Sequence, residues 1–313
     1  MSLRSAYHYA KAWLRKLFST QAVSAFLSSF GALWLAVQIT RFVWPHTIVF
    51  GTTELPDAIR NAWPLFGLVG LAAAAYQCRP RLAISHKLNG RDVAIQIAIG
   101  DILTFPGALI IGSNTTFDTR ISTELISERS VQGIFTKKYY RGETQLDAEL
   151  STSLGSVLGQ DLPANRVGKT KKYPMGTCVR LNPKNRTGYL LAIAEINEHG
   201  GASGSFNDLK ESLPKLWEFI SRRGLKEPLV MPVLGTGFSR LPQPREEVIR
   251  EIIQSFVAAC SERTFADKLT IVITPQDMAE HRISLDELGS FLQHMCKYTV
   301  LSSGNRQAIG TPV

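Results

Sequence analysis

The chain has 313 residues, a formal net charge of +9 and 44% hydrophobic residues, enough for one or two domains with a sizeable core. Its four cysteines, Cys78, Cys178, Cys260 and Cys296, are widely separated, with no C-x-x-C pair and no histidine at metal spacing. We therefore expect buried thiols in a reducing compartment and no metal site. The positive charge comes without a helix-turn-helix, finger or RNP pattern, so we expect no nucleic-acid partner and an anionic lipid surface instead.

Two apolar stretches before residue 80 carry no charged side chain: Ala22–Thr40 and Ala62–Cys78. A helix needs roughly 20 residues to cross the hydrocarbon core of a bilayer, with a range down to about 17. We predict a transmembrane helical hairpin over residues 22–78, with helices at about 22–42 and 62–78. A soluble hydrophobic hairpin is the alternative. Residues 1–21 are basic and contain several aromatic side chains, which is typical of an amphipathic segment at a membrane surface.

Basic residues flank the predicted hairpin on both sides: Arg4, Lys11, Arg15 and Lys16 before it, and Arg79, Arg81, Lys87 and Arg91 after it. The connecting segment Pro45–Asn61 holds Arg60 against Glu54 and Asp57. Cytoplasmic loops are enriched in Lys and Arg, so we expect a two-pass protein with both termini in the cytoplasm.

Small residues recur along both apolar stretches: Ser24, Ser28, Ala32 and Ala36 in the first, and Gly67, Gly70 and Ala74 in the second. Such faces let membrane helices approach closely. The sequence leaves open whether they pack within one hairpin or between subunits. Because two helices cannot enclose a water path, any permeation requires several copies.

Residues 79–91 are predicted as a basic juxtamembrane linker, 92–296 as a cytoplasmic domain and 297–313 as a C-terminal tail. In the domain, apolar runs predict strands at Val93–Ile99, Ala108–Ile111, Gly176–Leu181, Tyr189–Ile196, Leu229–Val233 and Leu269–Thr274. Helical patterns lie at Thr119–Ser127, Leu146–Leu158, Leu209–Arg223, Arg245–Ser261 and Ser284–Cys296. This order favours an α/β fold with helices on both faces of the sheet, and the turn-like Asn182–Arg186 makes the sheet mixed.

Polar and glycine residues follow three of the predicted strands: Gly100-Asp101-Ile102, Gly112-Ser113-Asn114 and Gly235-Thr236-Gly237. Ligands of open α/β sheets collect beyond the carboxyl ends of the strands. Asp101 suits an exocyclic amine, Asn114 suits ribose hydroxyls, and the Gly235 loop suits a diphosphate. Each residue alone is more typical of a turn, so the nucleotide-site hypothesis depends on all three together.

These residues resemble those of the macro domain family, the ADP-ribose-binding α/β/α module. Asp101 and Ile102 match the adenine-binding positions, Leu109–Asn114 resembles the strand that ends in a ribose-binding Asn, and Val233–Phe238 resembles the diphosphate loop, with Phe238 facing the distal ribose. The resemblance implies a three-layer α/β/α sandwich. The chain departs from macro domains that remove ADP-ribose, because TTFDTRISTELIS follows Asn114 in place of a glycine-rich loop.

Two apolar spans before such a domain, together with Phe117, Asp118, Gly133 and the Gly235-Thr236-Gly237 loop, are similar to the membrane-anchored effectors of type II Thoeris antiphage systems. That resemblance implies a non-enzymatic sensor in the inner membrane, without a cofactor or a catalytic residue. Its ligand is an ADP-ribose derivative, of the histidine–ADP-ribose type, made by a TIR-domain partner protein. Ligand binding implies homo-oligomerisation, membrane disruption and abortive infection.

Two other functions remain open from the sequence. A membrane-tethered ADP-ribosyl hydrolase needs an acid or base near the distal ribose, for which Asp118 is the nearest candidate. A scaffold needs no ligand. For the sensor, we expect the segments Thr115–Arg129 and Phe238–Gln243 to move when the ligand binds.

Overall fold

The computed structural model describes residues 10, 13–14, 17–45, 48–50, 53–79, 81–121, 125–165, 167–184, 186–196, 202–235 and 241–298. The chain divides into two compact units, Met1–Arg81 and Leu82–Val313.

The described part of the first unit consists mainly of helices. Its elements are α1 (Thr20–Val43), the strand pair β1 (Ile48–Phe50) and β2 (Thr53–Glu54), α2 (Leu55–Asn61) and α3 (Trp63–Gln77). Helix α1 has 24 residues, and its most apolar stretch of 18 residues has a mean hydropathy of 1.7. Among the described helices it is the one long and apolar enough to cross a membrane. The 15 residues of α3 fall short of the roughly 20 that a span needs, although the predicted second span covers residues 62–78.

Contact between α1 and α3 buries small side chains of both helices. Ala22 and Ala25 pack with Ala74 and Cys78. Gly70 is required in this contact, because a Cβ at this position would lie 2.8 Å from a ring carbon of Phe26. Gly70 and Ala74 of α3 therefore pack within the hairpin, with Ala22 and Ala25 of α1. The row of Ser24, Ser28, Ala32 and Ala36 in α1 takes no part in this contact, because its side chains are exposed.

The second unit alternates strands and helices in most of its length. Its strands are β3 (Ala83–Lys87), β4 (Ala94–Ile99), β5 (Ala108–Asn114), β6 (Gln160–Asp161), β7 (Lys171–Lys172), β8 (Cys178–Leu181), β9 (Gly188–Ile196), β10 (Ala202–Ser203), β11 (Leu229–Pro232) and β12 (Lys268–Ile273). Its helices are a 3₁₀ turn (Ile102–Thr104), α4 (Val131–Tyr139), α5 (Glu143–Leu154), α6 (Phe206–Arg223), α7 (Arg245–Glu262), α8 (Pro275–His281) and α9 (Leu285–Tyr298).

Eight of the ten described strands of this unit form a mixed sheet with the order β10-β9-β5-β11-β12-β4-β3, in which β8 also pairs with β9. The other two, β6 and β7, form a separate antiparallel pair. Strands β9, β5, β11, β12 and β4 are parallel to one another, whereas β3, β8 and β10 are antiparallel to their neighbours. Alternate strand residues point to opposite faces. Ile110 and Met231 pack under α6, α7 and α9, while Leu109 and Val230 pack under α4 and α5. This is the predicted α/β/α sandwich with a mixed sheet, and the turn between β8 and β9 is confirmed.

Two local predictions differ from the structure. The described residues of Thr119–Ser127 are not helical, because Thr119 Oγ1 and the Ile121 N–H donate to carboxylates of α5, which hold the segment as a loop. The predicted linker 79–91 contains β3, which pairs with β4; Ile84 packs closely against Gly289 of α9.

Candidate functional site

A cavity of about 330 Å³ lies at the carboxyl ends of the parallel strands β5, β9, β11 and β12. Its lining includes Ser113, Asn114, Leu125, Ser127, Arg129, Ser130, Gln132, Ile193, Ile196, Leu234, Gly235, Thr274 and Asp277. Parallel strands place their carboxyl ends at one edge, which is where α/β sheets bind ligands. The structure therefore brings Ser113, Asn114 and Gly235 of the predicted site together.

Ser113 and Asn114, at the end of β5, are each 5% exposed. Asn114 Oδ1 accepts hydrogen bonds from the N–H groups of Thr116 and Asp118, at 3.2 and 3.0 Å. This oxygen holds the turn, so the amide NH₂ is the part of Asn114 left for a ligand. Ser113 Oγ is buried and forms no hydrogen bond with a described residue. An unpaired hydroxyl in a cavity wall is costly unless a ligand or water pairs with it.

The turn after Asn114 buries Phe117 and Asp118. Phe117 has φ +49° and packs edge-on against Tyr173 in the hydrophobic core. Asp118 is 1% exposed; its carboxylate accepts from Thr116 Oγ1 and, at 2.6 Å, from the Lys169 N–H. Both side chains, predicted as ligand contacts, are therefore packed beneath the cavity and do not line it.

The N-terminus of α4 faces the cavity. Ser130 Oγ accepts from the Gly133 N–H at 3.0 Å, which caps the helix and leaves the N–H groups of Val131 and Gln132 for a ligand. Gly133 is needed because a Cβ there would lie 2.3 Å from the Ser127 carbonyl oxygen. The role of Gly133 in the structure is this close approach, which places the helix start at the cavity. A helix N-terminus favours anions, and the exposed Arg129 adds a positive charge.

A lysine of α4 also holds the turn before the helix. Lys137 Nζ lies 2.8 Å from a carboxylate oxygen of Glu128. This hydrogen bond, with the positive charge of Lys137, holds the pKa of Glu128 below its ordinary value. The turn that carries Ser127 and Arg129 is therefore fastened to the helix that it precedes.

The glycine loop after β11 begins at the cavity. Gly235 has φ +70°, and a Cβ there would lie 2.3 Å from Leu241 Cδ1. The Leu241 N–H donates to the Gly235 carbonyl at 3.1 Å, so the two ends of the loop meet. The other predicted residues of the loop, Thr236, Gly237 and Phe238, lie outside the described residues.

Asp101 and Ile102 lie beyond the end of β4 and do not line the 330 Å³ cavity. Asp101 is exposed, and its Oδ1 caps the 3₁₀ turn by accepting from the Leu103 N–H at 3.0 Å. Ile102 packs partly into the hydrophobic core. Arg186 holds this turn by donating to the carbonyls of Leu103, Phe105 and Gly107.

Sequence reasoning missed Arg129, Thr274 and Asp277 of the lining. Thr274 caps the short α8 by accepting from the Asp277 N–H at 3.0 Å, and Asp277 lies 3.8 Å from Arg245. The T-P-x-D sequence is an N-cap signal that indicates α8. No group of His, Cys, Asp or Glu suited to a metal ion occurs among the described residues.

The α/β/α sandwich with a cavity at the carboxyl edge of its mixed sheet has the architecture expected of a macro domain. The model of the family described as Thoeris protein ThsA, macro domain, matches residues 95–274. This match covers more than half of the chain, which therefore belongs to that family.

Individual relatives are more distant. Thoeris protein ThsA of Bacillus amyloliquefaciens (strain Y2) is 25% identical over 162 residues, 50% of this chain and 52% of that protein, so the match spans about half the length of the relative. The Oceanobacillus iheyensis macrodomain with ADP has a TM-score of 0.44 and 16% identity, over 69% of this chain and 95% of that one. The Trypanosoma brucei macrodomain in complex with ADP-ribose has a TM-score of 0.39 and 13% identity, over 59% of this chain and 66% of that one.

Proposed function

We propose that this protein is a membrane-anchored effector of a Thoeris antiphage system whose macro domain binds an ADP-ribose derivative. The observation that carries the proposal is the cavity at the carboxyl edge of the sheet, where buried Ser113 Oγ has no described partner and the N-terminus of α4 opens beside Arg129. Family membership supports the assignment. The cavity volume lies within the range of roughly 300–1,000 Å³ that small-molecule sites occupy.

In this proposal each part of the ligand lies next to residues that can bind its chemical groups. The adenine lies towards Asp101 and Ile102, and the amide of Asn114 donates to a ribose oxygen. The diphosphate lies between the N-terminus of α4 and the Gly235 loop, where backbone N–H groups and Arg129 neutralise its charge. We propose that Thr236, Gly237 and Phe238 also contact the ligand. The distal adduct, which we propose is histidine, occupies the remaining space.

In the proposal, the first unit is the part of the protein that acts on the membrane. In the proposal, α1 and the apolar segment that contains α3 insert in the inner membrane with both termini in the cytoplasm, and ligand binding gathers copies of the protein. The exposed row of Ser24, Ser28, Ala32 and Ala36 supports helix packing between copies, because it takes no part in the hairpin contact. Clustered hairpins then disrupt the bilayer and stop growth before phage release, after a TIR-domain partner has made the signal.

The structure gives the hydrolase alternative little support. Both carboxylate oxygens of Asp118 accept hydrogen bonds from the protein, and its side chain is 1% exposed. A general base must reach the proton that it removes, directly or through one water. We therefore assign Asp118 to the framework of the pocket and propose a sensor without catalytic residues.

The test is calorimetry of the full chain in nanodiscs with ADP-ribose and with histidine–ADP-ribose, followed by sedimentation of each mixture. We expect tighter binding of the adduct and larger particles after binding. Arg129→Gln should weaken binding at least about tenfold, since a charge-assisted phosphate contact is worth roughly 1.5–3 kcal/mol. Arg120→Gln is the matched control, because Arg120 is exposed and does not line the cavity. Equal affinity of both variants, or binding without assembly, contradicts the proposal.

A further inference from the structure

One edge of the sheet is open at β8. Among the described strands, β8 pairs only with β9, and its free edge faces a groove of about 820 Å³ between the end of α5 and α6. The groove is lined by Ser153, Ser156, Val157, Leu158, Pro174, Thr177, Cys178, Val179, Arg180, Lys215, Glu218, Phe219, Arg222 and Arg223. It is separate from the nucleotide cavity, with which it shares no lining residue.

The backbone of β8 presents hydrogen-bonding groups to this groove. The Ala192 N–H donates to the Thr177 carbonyl at 2.9 Å. Because hydrogen-bonded and non-bonded residue pairs alternate along an antiparallel ladder, the backbone N–H and C=O groups of Cys178, Arg180 and Asn182 point away from β9. The Asn182 N–H donates to Glu149 Oε1 at 2.6 Å. No described residue pairs with the outward groups of Cys178 and Arg180. The free edge of β8 can therefore form a few main-chain hydrogen bonds with an added strand. At its end, the Asn182 N–H is already bonded to the Glu149 carboxylate.

Positive charge lies along the α6 side of the groove. Arg222 pairs with Glu218 at 2.7 Å, while the described partners of Lys215 Nζ and Arg180 Nη1 are backbone carbonyls, at 3.0 and 3.2 Å. Arg180 Nε is buried without a described partner, and Arg223 lies over the Phe219 ring. The lining of the groove holds four cations against the single carboxylate of Glu218, an excess of three positive charges. The opposite wall is apolar or neutral at Val157 and Leu158, and Leu158 is 92% exposed.

We propose that the groove binds an extended acidic segment of another protein, which adds to the sheet as a strand beside β8. Free strand edges take up extended segments through main-chain hydrogen bonds, and pockets for alternate side chains give specificity. The side chain of Cys178 packs with residues of α6, and that of Arg180 donates to the carbonyl of Arg223 at the end of α6, whereas Val179 and Leu181 belong to the core under α5. The bound segment therefore alternates acidic side chains, which face Arg180, Lys215 and Arg222, with apolar side chains that face Val157 and Leu158.

A second copy of this chain is a poorer occupant. Pairing of two β8 edges about a two-fold axis places the arginine-rich walls of both copies together, and like charges directly opposite are unfavourable. The chain itself has a net charge of +9. Charge complementarity thus selects an acidic partner.

The experiment measures fluorescence anisotropy of a labelled peptide of alternating Glu and Val with the full chain in neutral-lipid nanodiscs. Two further peptides serve as probes, one with Lys in place of Glu and one methylated on alternate backbone nitrogens. We expect saturable binding of the Glu peptide alone. The double variant Lys215→Glu, Arg222→Glu should bind at least about tenfold more weakly, since each reversed charge replaces attraction with repulsion. Lys210→Glu on the same helix is the control, because Lys210 does not line the groove.

Folding of each variant is checked by circular dichroism and by its affinity for histidine–ADP-ribose, since the groove is separate from the nucleotide cavity. Equal binding of the methylated peptide would mean a polyanion site without strand addition and would overturn the proposal. Lack of binding by all three peptides would overturn it too. The same holds for a dimer of the free protein that the double variant abolishes, since that result assigns the groove to a second copy.

Discussion

The backbone N–H of Lys169 donates to Asp118 Oδ1 at 2.6 Å, and the Lys169 ammonium donates to the Phe117 carbonyl at 2.7 Å. The loop before β7 is thereby fastened to the turn that follows Asn114. The same ammonium lies 2.5 Å from the Asp147 carboxylate of α5. A ligand that shifts the turn after Asn114 would therefore also shift the loop that contains Lys169. This connects the wall of the cavity with the protein surface.

Replacement of Asp118 tests its role in the framework. Asp118→Ala removes the acceptor of the Thr116 hydroxyl and of the Lys169 N–H, so the free energy of unfolding should fall by about 2–4 kcal/mol. Urea unfolding of the full chain in detergent measures this. Asp161→Ala is the control, because Asp161 is exposed. A stable Asp118→Ala protein that has lost turnover of an ADP-ribosylated substrate would instead support the hydrolase.

Gly235 should tolerate no side chain. Gly235→Ala places a Cβ in the left-handed region, at φ +70°, and against the buried Leu241 side chain. Gly90→Ala is a matched control, because Gly90 has φ +74° but open space around its Cβ position. We expect about 1 kcal/mol of destabilisation from the backbone at Gly90 and about 1–3 kcal/mol more at Gly235, from the displaced leucine. Affinity for the ADP-ribose derivative should fall only in the Gly235 variant, as calorimetry can check; equal effects in both would contradict the packing argument.

The strands and the order of the layers could be predicted from the sequence, because buried strands appear as apolar runs such as Leu109–Ile111 and Leu229–Met231. The turn after Asn114 could not. Two backbone N–H groups converge on Asn114 Oδ1 in a turn that buries Phe117 and Asp118. The turn also depends on a hydrogen bond from Lys169, 51 residues from Asp118 in the sequence.

Helix α4 shows the limit of local patterns. Its sequence, VQGIFTKKY, contains a glycine and several β-branched or aromatic residues of low helix propensity. The helix is stabilised by the Ser130 cap and by burial of Phe135 in the core. The sequence predicts Gly133 as a ligand contact. In the structure the residue has a packing role, because its backbone approaches the Ser127 carbonyl too closely for a side chain.

Because Cys260 and Cys296 have buried thiols, we expect the folded protein to lose stability at alkaline pH. Burial raises the pKa of Cys260 to about 12 and that of Cys296 to about 11, whereas an unfolded thiol has a pKa of about 8.5. Above about pH 8.5 the unfolded chain releases thiol protons that the folded chain retains. Stability is therefore complete below that pH and falls as the pH rises towards 11–12, by up to about 1.4 kcal/mol per pH unit for each thiol.

Urea unfolding at pH 8, 9.5 and 10.5 measures this slope. Cys260→Ala should make the decline shallower, although it also opens a small gap in the core that lowers stability equally at every pH. Identical slopes for the wild type and Cys260→Ala would show that this thiol ionises alike in both states.

The exposed small-residue row of α1 should control assembly. Ala32→Leu adds bulk where helices of different copies are proposed to meet, and overpacking of about 1–3 kcal/mol weakens association roughly five- to 150-fold. Val23→Phe is the control: Val23 is also exposed, and nine residues from Ala32 places it on the opposite side of the helix. Sedimentation of each variant with histidine–ADP-ribose measures the assembled fraction, and calorimetry should show unchanged ligand affinity. Assembly of Ala32→Leu at the wild-type concentration would mean that copies do not pack through this face.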